Sequence, residues 1–362
     1  MTEQAAMERA LKLALEGWGR VQPNPMVGAV IIKDGKSLGE GAHREFGGPH
    51  AEVEALESAG QASEGSTCVV TLEPCSHHGK TPPCTDRLIE AGVRRVVYAI
   101  ADPNPKAAGG ESRLAEAGIE VQSGVMAEEA RHLNAQFHLN QLTSERPFVA
   151  LKLATSLDGY LADRNRNSRW ISGPQARDWV QWVRAGFDAI GVGRNTAVED
   201  DPALTVRGEL KPRRTPTRVI FSKKGEIPRG LSIFKDDAAP TVVFVEPDHA
   251  SKVSSQLAGG RDLDVVSAGG VPDALKELRD RGVHSLLVEG GGELAASLLE
   301  QEVVDRVYWI QSPVWLGQGV AAFPKRRAVD LADATRWQVV ERQAMEDDTL
   351  LVVDRKLCLP ES

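Results

Sequence analysis

Pro49-His50-Ala51-Glu52, followed by Glu73-Pro74-Cys75-Ser76-His77-His78-Gly79-Lys80-Thr81-Pro82-Pro83-Cys84, decides the fold of the first half of this chain. A catalytic zinc takes three protein ligands and keeps one position for water. One imidazole, His50, and two thiolates, Cys75 and Cys84, meet that requirement. Thiolates are favoured at a helix N-terminus. Cys84 stands just before a helix whose pattern begins near Thr85, and His50 stands at the start of another. Glu52, two residues past His50, cannot share a mid-helix face with it. At a helix start, however, both side chains can point into one pocket. There the carboxylate can take a proton from water and hand it to a leaving amine. Two buried cysteines and a core histidine would explain any one of these residues alone, but not the set. A purely structural zinc, with His77 or His78 as fourth ligand, would leave Glu52 without a task.

Elements alternate outward from this stretch. Ala5 to Leu15 reads as an amphipathic helix with Met7, Leu11 and Leu15 on one stripe. Val27 to Lys33 is a strand ending at the turn signal Asp34-Gly35. Ala51 to Ala59 is a helix, Thr67 to Leu72 and Val93 to Ile100 are strands, and Thr85 to Ala91 is a helix closed by Gly92. The polar run Gln141 to Pro147 marks a boundary, giving units 1–145 and 146–362. Beyond it, Phe148 to Ala154, Ala189 to Val192, Arg218 to Phe221, Thr241 to Val245 and Ser285 to Val288 read as strands. Gly173-Pro174 opens a helix to about Arg184. Leu294 to Leu299 is a further helix, and Val304 to Val314 and Leu350 to Val353 are late strands, candidates for antiparallel pairing. Both units therefore read as α/β, a sheet covered by helices.

Composition narrows the functional classes. The 362 residues are 41% hydrophobic and 26% charged, an ordinary globular mixture, with a net charge of -8. An acidic chain without a basic run is a poor nucleic-acid binder, so a small polar substrate is expected. No apolar stretch reaches membrane-helix length, and Met1 to Arg20 carries charges throughout, so no membrane association and a cytoplasmic location are expected. Four cysteines make no disulfide framework; Cys68 and Cys358 read as plain apolar residues.

His-x-Glu followed by Pro-Cys is the pattern of zinc deaminases acting on nucleobases. The eight-residue spacer Ser76 to Pro83, where many such enzymes have two residues, closely resembles the bifunctional deaminase/reductase family of riboflavin biosynthesis. Pro23-Asn24-Pro25, Val27-Gly28, Gly41 with His43, and Asp102-Pro103-Asn104-Pro105 fit the same family. So do Leu151-Lys152-Leu153-Ala154, Ser156-Leu157-Asp158-Gly159, Trp170-Ile171-Ser172, Asp201-Pro202-Ala203-Leu204-Thr205 and Val288-Glu289-Gly290-Gly291 in the second half. The resemblance implies an N-terminal cytidine-deaminase-like three-layer domain and a C-terminal dihydrofolate-reductase-like domain. It implies zinc and NADPH as cofactors and a phosphorylated pyrimidine as substrate. The first domain would deaminate a diaminopyrimidinone ribosylamine 5′-phosphate, and the second would reduce the ribosyl group to ribityl. Self-association as a dimer or tetramer follows from the same likeness. Asn24, His43 and Lys80 are the candidates for holding sugar and phosphate. Lys80 also fits a solvated loop lysine.

In the second half, Val288-Glu289-Gly290-Gly291-Gly292-Glu293-Leu294 runs from a strand through glycines into a helix. N–H groups at such a helix start can receive a dinucleotide's phosphates. The glycine spacing is not that of a Rossmann fold. Gly193-Arg194-Asn195-Thr196 offers a second cradle and resembles the cofactor turn of dihydrofolate reductases. Carried over position by position, the resemblance implies NADPH contacts from Ala154, Trp170, Thr196, Asp200, Gly291, Gly292, Glu293, Leu294, Ala295, Ala296 and Ser297. Substrate contacts would come from Ser168, Arg184, Leu204, Arg207 and Glu289, since guanidinium forks suit phosphate. Arg184 also fits a helix end favoured by the dipole. Lys152 and Glu289 are placed by strand position to assist opening of the ribosyl ring; Lys152 also fits a structural ion pair. Three stretches depart from the family. Many relatives read Thr-Gly-Glu-Ser where this chain has Asn165-Arg166-Asn167-Ser168, family members often have Leu-Asp-Ser where it has Phe221-Ser222-Lys223, and the loop after Pro105 is one residue short. Lys223 is a candidate partner for the cofactor's extra phosphate. Three other readings stay open: deamination alone with a non-catalytic second half, a nucleic-acid deaminase, and a zinc-stabilised scaffold.

Overall fold

The computed structural model describes residues 1–77, 82–105, 107–143, 145–258, 262–324 and 329–356. The chain divides into two compact units, Met1–Thr143 and Ser144–Ser362.

The first unit runs α1 (Glu3–Ala14), β1 (Gly28–Lys33), β2 (Lys36–Ala42), α2 (Ala51–Ala59), β3 (Thr67–Leu72), α3 (Cys84–Glu90), β4 (Arg95–Ile100), α4 (Gly110–Glu116), β5 (Glu120–Ser123), α5 (Ala127–Leu133) and α6 (Ala135–Leu142). Five strands lie in the order β2-β1-β3-β4-β5, with β1 antiparallel to β2 and β3, and β3, β4 and β5 parallel. Asp34 and Gly35, both at positive φ, turn β1 into β2. Glycines let helices close on both faces. A Cβ on Gly28 would stand 2.0 Å from Ala10 O of α1. On the other face of the pleat, Cβ atoms on Gly39 and Gly41 would stand 2.3 and 2.2 Å from Ala55 O and Ala51 O of α2. α1 touches α5, whereas α2 touches α3 and α3 touches α4, so the helices form two groups on the three-layer sheet. The N-terminal helix buries Met7, Ala10 and Leu13; Leu15, placed on its apolar stripe by periodicity, is exposed in a 3-10 turn after α1.

The second unit runs β6 (Phe148–Thr155), β7 (Tyr160–Asp163), α7 (Pro174–Ala185), β8 (Ala189–Gly193), α8 (Arg194–Asp200), β9 (Thr217–Phe221), β10 (Thr241–Val245), α9 (Pro247–Leu257), β11 (Leu263–Ser267), α10 (Val271–Asp280), β12 (Ser285–Glu289), α11 (Gly292–Glu300), β13 (Arg306–Gln311), β14 (Gly319–Ala321), β15 (Trp337–Met345) and β16 (Asp348–Arg355). Nine strands lie in the order β11-β10-β9-β8-β12-β6-β13-β16-β15. The seven from β11 to β13 are parallel, and β16 and β15 add an antiparallel edge. Val304 to Val314 is thus a shorter strand than its apolar run suggests, ending at Gln311. β12 is threaded between β8 and β6, which brings Glu289 beside Lys152 in register at the carboxyl ends of two parallel strands. In parallel sheets that edge is where ligands bind.

Candidate functional site

His50 caps α2 from an extended backbone conformation, Cys84 is the first residue of α3, and Cys75 lies in the loop leaving β3. Cys84 therefore sits one position inside the helix that the sequence starts at Thr85, where the dipole favours its thiolate. The three ligand atoms all lie within 4.8 Å of one another. His50 Nδ1 is 3.2 Å from Cys84 Sγ and 3.7 Å from Cys75 Sγ. Tetrahedral zinc with ordinary bond lengths needs nitrogen–sulfur separations of about 3.6 Å. The donor set therefore fits zinc in both chemistry and spacing. His77 is exposed and is not part of this cluster, and His78 lies outside the described residues.

Charge follows from this geometry. The Cys84 thiol and backbone N–H both hydrogen-bond Cys75 Sγ, and with His50 nearby they lower the Cys75 pKa to about 4. The same thiol pairing and burial push Cys84 well up. The hydrogen bond to Cys75 raises His50 to about 9 against the cost of burial. Glu52, in the first turn of α2, is 3% exposed. Burial pushes its carboxyl up, while His50 and a hydrogen bond with Cys84 pull it down.

Around this centre, His43 Nδ1–H donates to Pro49 O at 2.8 Å. That fixes the tautomer and leaves Nε2 to accept from Asn24 Nδ2 at 3.3 Å. Burial lowers the His43 pKa, which favours the neutral ring that accepts from Asn24. Lys80 lies outside the described residues. Two acids that the sequence did not single out also matter. Glu73 accepts N–H bonds from Asp102, Gly109 and Glu111, tying the 102–111 loop to the cysteine loop. Asp102 thereby comes close enough to His50 and Cys75 to act on their charges; burial raises its own pKa to about 6. The Glu-Pro-Cys and Asp-Pro-Asn-Pro motifs were visible, but their union was not. Cys68 is fully buried in β3, as an apolar residue would be, and burial raises its thiol pKa. Cys358 lies outside the described residues.

The second unit holds a cleft of about 2420 Å³ along the carboxyl ends of its parallel strands. A pocket for one ligand is ~300–1,000 Å³, so there is room for a dinucleotide and a substrate together. Lys152, Ala154, Ser168, Trp170, Arg184, Thr196, Asp200, Leu204, Arg207 and Glu289 line it, with Gly291, Gly292, Glu293, Leu294, Ala296 and Ser297 from the start of α11. Ala295 does not line it: it is fully buried, packed into the core by the helical period. Gly290 and Gly291 have φ of +65° and +76°, and a Cβ on Gly291 would stand 2.8 Å from Thr196 Oγ1. A side chain at Gly291 would crowd the Gly193–Thr196 turn, so this glycine lets the two turns meet as one cradle. Lys223 also borders the cleft, as does Lys224.

Arg184 is committed inside the protein. Its Nε and Nη2 donate to the two Glu289 oxygens, and Nη1 donates to Thr205 O at 3.0 Å. Arg207 remains exposed at the cleft, with its backbone N–H donating to Gln181 Oε1. Burial would raise the Glu289 pKa, but Arg184 outweighs it and holds the carboxyl below its usual value. Burial lowers the Lys152 pKa, Glu289 opposes that, and Arg184 adds to it.

A His-Cys-Cys centre with a buried acid, followed by a two-ligand cleft at a parallel-sheet edge, defines a fused zinc deaminase and nucleotide-dependent reductase. Residues 1–100 match the cytidine and deoxycytidylate deaminase zinc-binding region, and residues 147–351 match the RibD C-terminal domain. The riboflavin biosynthesis protein RibD of Aquifex aeolicus is 40% identical over 87% of this chain and 88% of its own length. That of Escherichia coli is 39% identical over 97% and 99%. The crystal structure of a diaminohydroxyphosphoribosylaminopyrimidine deaminase/5-amino-6-(5-phosphoribosylamino)uracil reductase from Thermotoga maritima superposes with a TM-score of 0.81 at 38% identity, covering 98% of each chain. The chain belongs to the RibD family of bifunctional riboflavin biosynthesis enzymes, with a cytidine-deaminase-like first domain and a dihydrofolate-reductase-like second. A reading with deamination alone is not favoured, since the family match spans both units. No helix among the described residues is long and apolar enough to cross a membrane.

Proposed function

We propose that the first unit hydrolytically deaminates a 2,5-diamino-6-ribosylamino-pyrimidinone 5′-phosphate, and that the second reduces the ribosyl group of the uracil product to ribityl with NADPH. The observation that carries this reading is the convergence of His50, Cys75 and Cys84 beside the buried Glu52. Bound zinc supplies Lewis acidity that makes water a nucleophile at neutral pH. Glu52 holds and moves the proton, from water to the departing nitrogen. Asn24, oriented by His43, offers its carboxamide oxygen to the substrate's hydroxyl or amino groups.

In the second unit, the glycine cradle before α11 and the Gly193–Thr196 turn receive the dinucleotide, with Lys223 facing the extra phosphate of NADPH. NADPH supplies the hydride. Arg207 binds the substrate phosphate, and Lys152 moves a proton as the ribosyl ring opens. Glu289, fixed by Arg184, holds Lys152 in place. The reading includes a cytoplasmic location, where the thiols stay reduced. It also includes self-association through the second unit as a dimer or tetramer, for which exposed Leu157 and Trp315 offer apolar surface. The test is a coupled assay on the diaminopyrimidinone substrate. Ammonia release without NADPH, followed by NADPH oxidation once it is added, supports both activities. Ammonia release with no NADPH oxidation leaves only the deaminase.

A further inference from the structure

Asn134 lies between α5 and α6, far in sequence from every motif of the metal centre. It is 3% exposed. Its backbone is engaged on both sides, the N–H donating to Ala130 O and the C=O accepting from His138 N–H. The side chain is therefore the only part of the residue left to act outside its own helices. It closes a two-way bridge: Oδ1 accepts from Met26 N–H at 2.8 Å, and Nδ2 donates to Met26 O at 2.8 Å. A carboxamide bridging both polar groups of one residue mimics the pairing of a neighbouring strand and fixes that residue's orientation.

Met26 ends the Pro23-Asn24-Pro25 segment. Downstream, Val27 O accepts from His43 N–H, and upstream Asn24 N–H donates to Val21 O. Asn24 Nδ2 meets His43 Nε2, whose ring donates to Pro49 O, next to the ligand His50. A continuous chain of hydrogen bonds and peptide links thus joins Asn134 to the metal centre through Asn24. The two prolines alone cannot fix where Asn24 points, because they constrain φ and not the placement of the segment on the sheet.

We propose that Asn134 is a positioning residue for the deaminase pocket, holding the Pro23–Met26 segment so that Asn24 faces the substrate. This rests on the reading above that Asn24 contacts substrate. Asn134 touches neither zinc nor any atom that reacts. Its loss therefore weakens substrate binding and spares metal loading and the proton transfer.

The test measures deaminase and reductase kinetics on full-length Asn134→Ala, Asn134→Asp, Asn24→Ala and the Asn24→Ala/Asn134→Ala double variant, with zinc measured by elemental analysis. Asn134→Asp keeps the acceptor for Met26 N–H but sets an oxygen against Met26 O, so it tests the bridge if the alanine variant folds poorly. The expected result is a deaminase KM raised about ten-fold in each Asn134 variant, with kcat within about two-fold, the signature of lost ground-state binding. Zinc content and reductase kinetics stay at wild-type values. The double variant matches Asn24→Ala alone, because the two residues act through one contact. The inference is overturned if Asn24→Ala raises KM while the Asn134 variants do not, or if the two effects multiply. Joint loss of zinc and deaminase kcat in both Asn134 variants overturns it too, by showing a merely structural role. An unchanged KM in Asn24→Ala removes the reading of the pocket and the inference with it.

Discussion

Arg184 donates to both carboxylate oxygens of Glu289, at 2.5 and 2.8 Å, across 105 residues of sequence. Both side chains are nearly buried, with 10% and 12% exposed. Removing one partner of such a pair leaves an uncompensated charge and costs about 3–5 kcal/mol. Arg184→Met is expected to lower stability by about that amount and to abolish NADPH oxidation, while Arg184→Met/Glu289→Leu recovers stability without activity. Acid acts in a definite direction. The Glu289 carboxyl is held below its usual value, so its contribution is full above that value (about pH 4.3) and disappears as the pH falls through the folded pKa. Urea midpoints of wild type and the double variant should therefore lie close together near neutrality and separate in acid, where only the wild type loses the pair. A constant difference from neutral to acid pH argues against an ionised pair.

Metal removal separates the two units. Dialysis against a strong chelator should stop ammonia release and leave reduction of the deaminated substrate by NADPH intact. Glu52→Gln should retain zinc and slow ammonia release by about 10²–10⁴-fold, the usual weight of a positioned acid–base. Full deaminase activity in a zinc-loaded Glu52→Gln protein would assign the proton transfer elsewhere.

Lys152 tests the reductive half. Lys152→Met keeps the length of the side chain but removes its proton, and it leaves Glu289 to Arg184 alone. Reduction should fall by more than about 10²-fold while NADPH still binds, measured by cofactor fluorescence beside turnover. Normal turnover with normal binding would make Lys152 a structural partner of Glu289.

The cradle makes a narrower prediction. Gly291 has φ of +76°, and a Cβ there would stand 2.8 Å from Thr196 Oγ1. Gly291→Ala should separate the two turns, raise the KM for NADPH about ten-fold and leave deamination untouched. Equal NADPH affinity in the variant would show that the cradle does not hold the cofactor.

What could be read from the sequence was local. Thr67–Leu72, Thr241–Val245 and Ala51–Ala59 carry their period within a few residues, and the structure has the same bounds. The His-Cys-Cys set was legible because its chemistry is concentrated in two short motifs. β2 was missed because Gly39 and Gly41 depress strand propensity; they are there for the approach of α2. β15 was missed because its residues are mostly exposed and polar on a sheet edge. The Arg184–Glu289 and Asn134–Met26 pairings join residues more than 100 apart, and no periodicity encodes them. Ala295 faces the core while Leu294 and Ala296 line the cleft, because a run of consecutive helical residues cannot all face one way.

Arg166 carries a side chain at a φ of +65°. The turn is real: Asp163 Oδ1 accepts from Asn165 N–H at 2.8 Å and from Asn167 N–H at 2.9 Å, and Asp163 O accepts from Arg166 N–H at 3.0 Å. Left-handed backbone costs a residue with a Cβ about 1–2 kcal/mol, and glycine escapes that cost. Glycine loses about 0.4–1 kcal/mol through its freer unfolded chain, leaving a net advantage of roughly 0.5–1 kcal/mol over alanine. Both replacements remove the exposed pair of Arg166 with Glu199, so that loss cancels between them. Arg166→Gly should therefore be more stable than Arg166→Ala, the reverse of the order at an ordinary exposed site. Denaturant midpoints of the two variants decide it. If alanine is the more stable, the turn relaxes out of the left-handed region, and this wall of the cleft is reshaped with it.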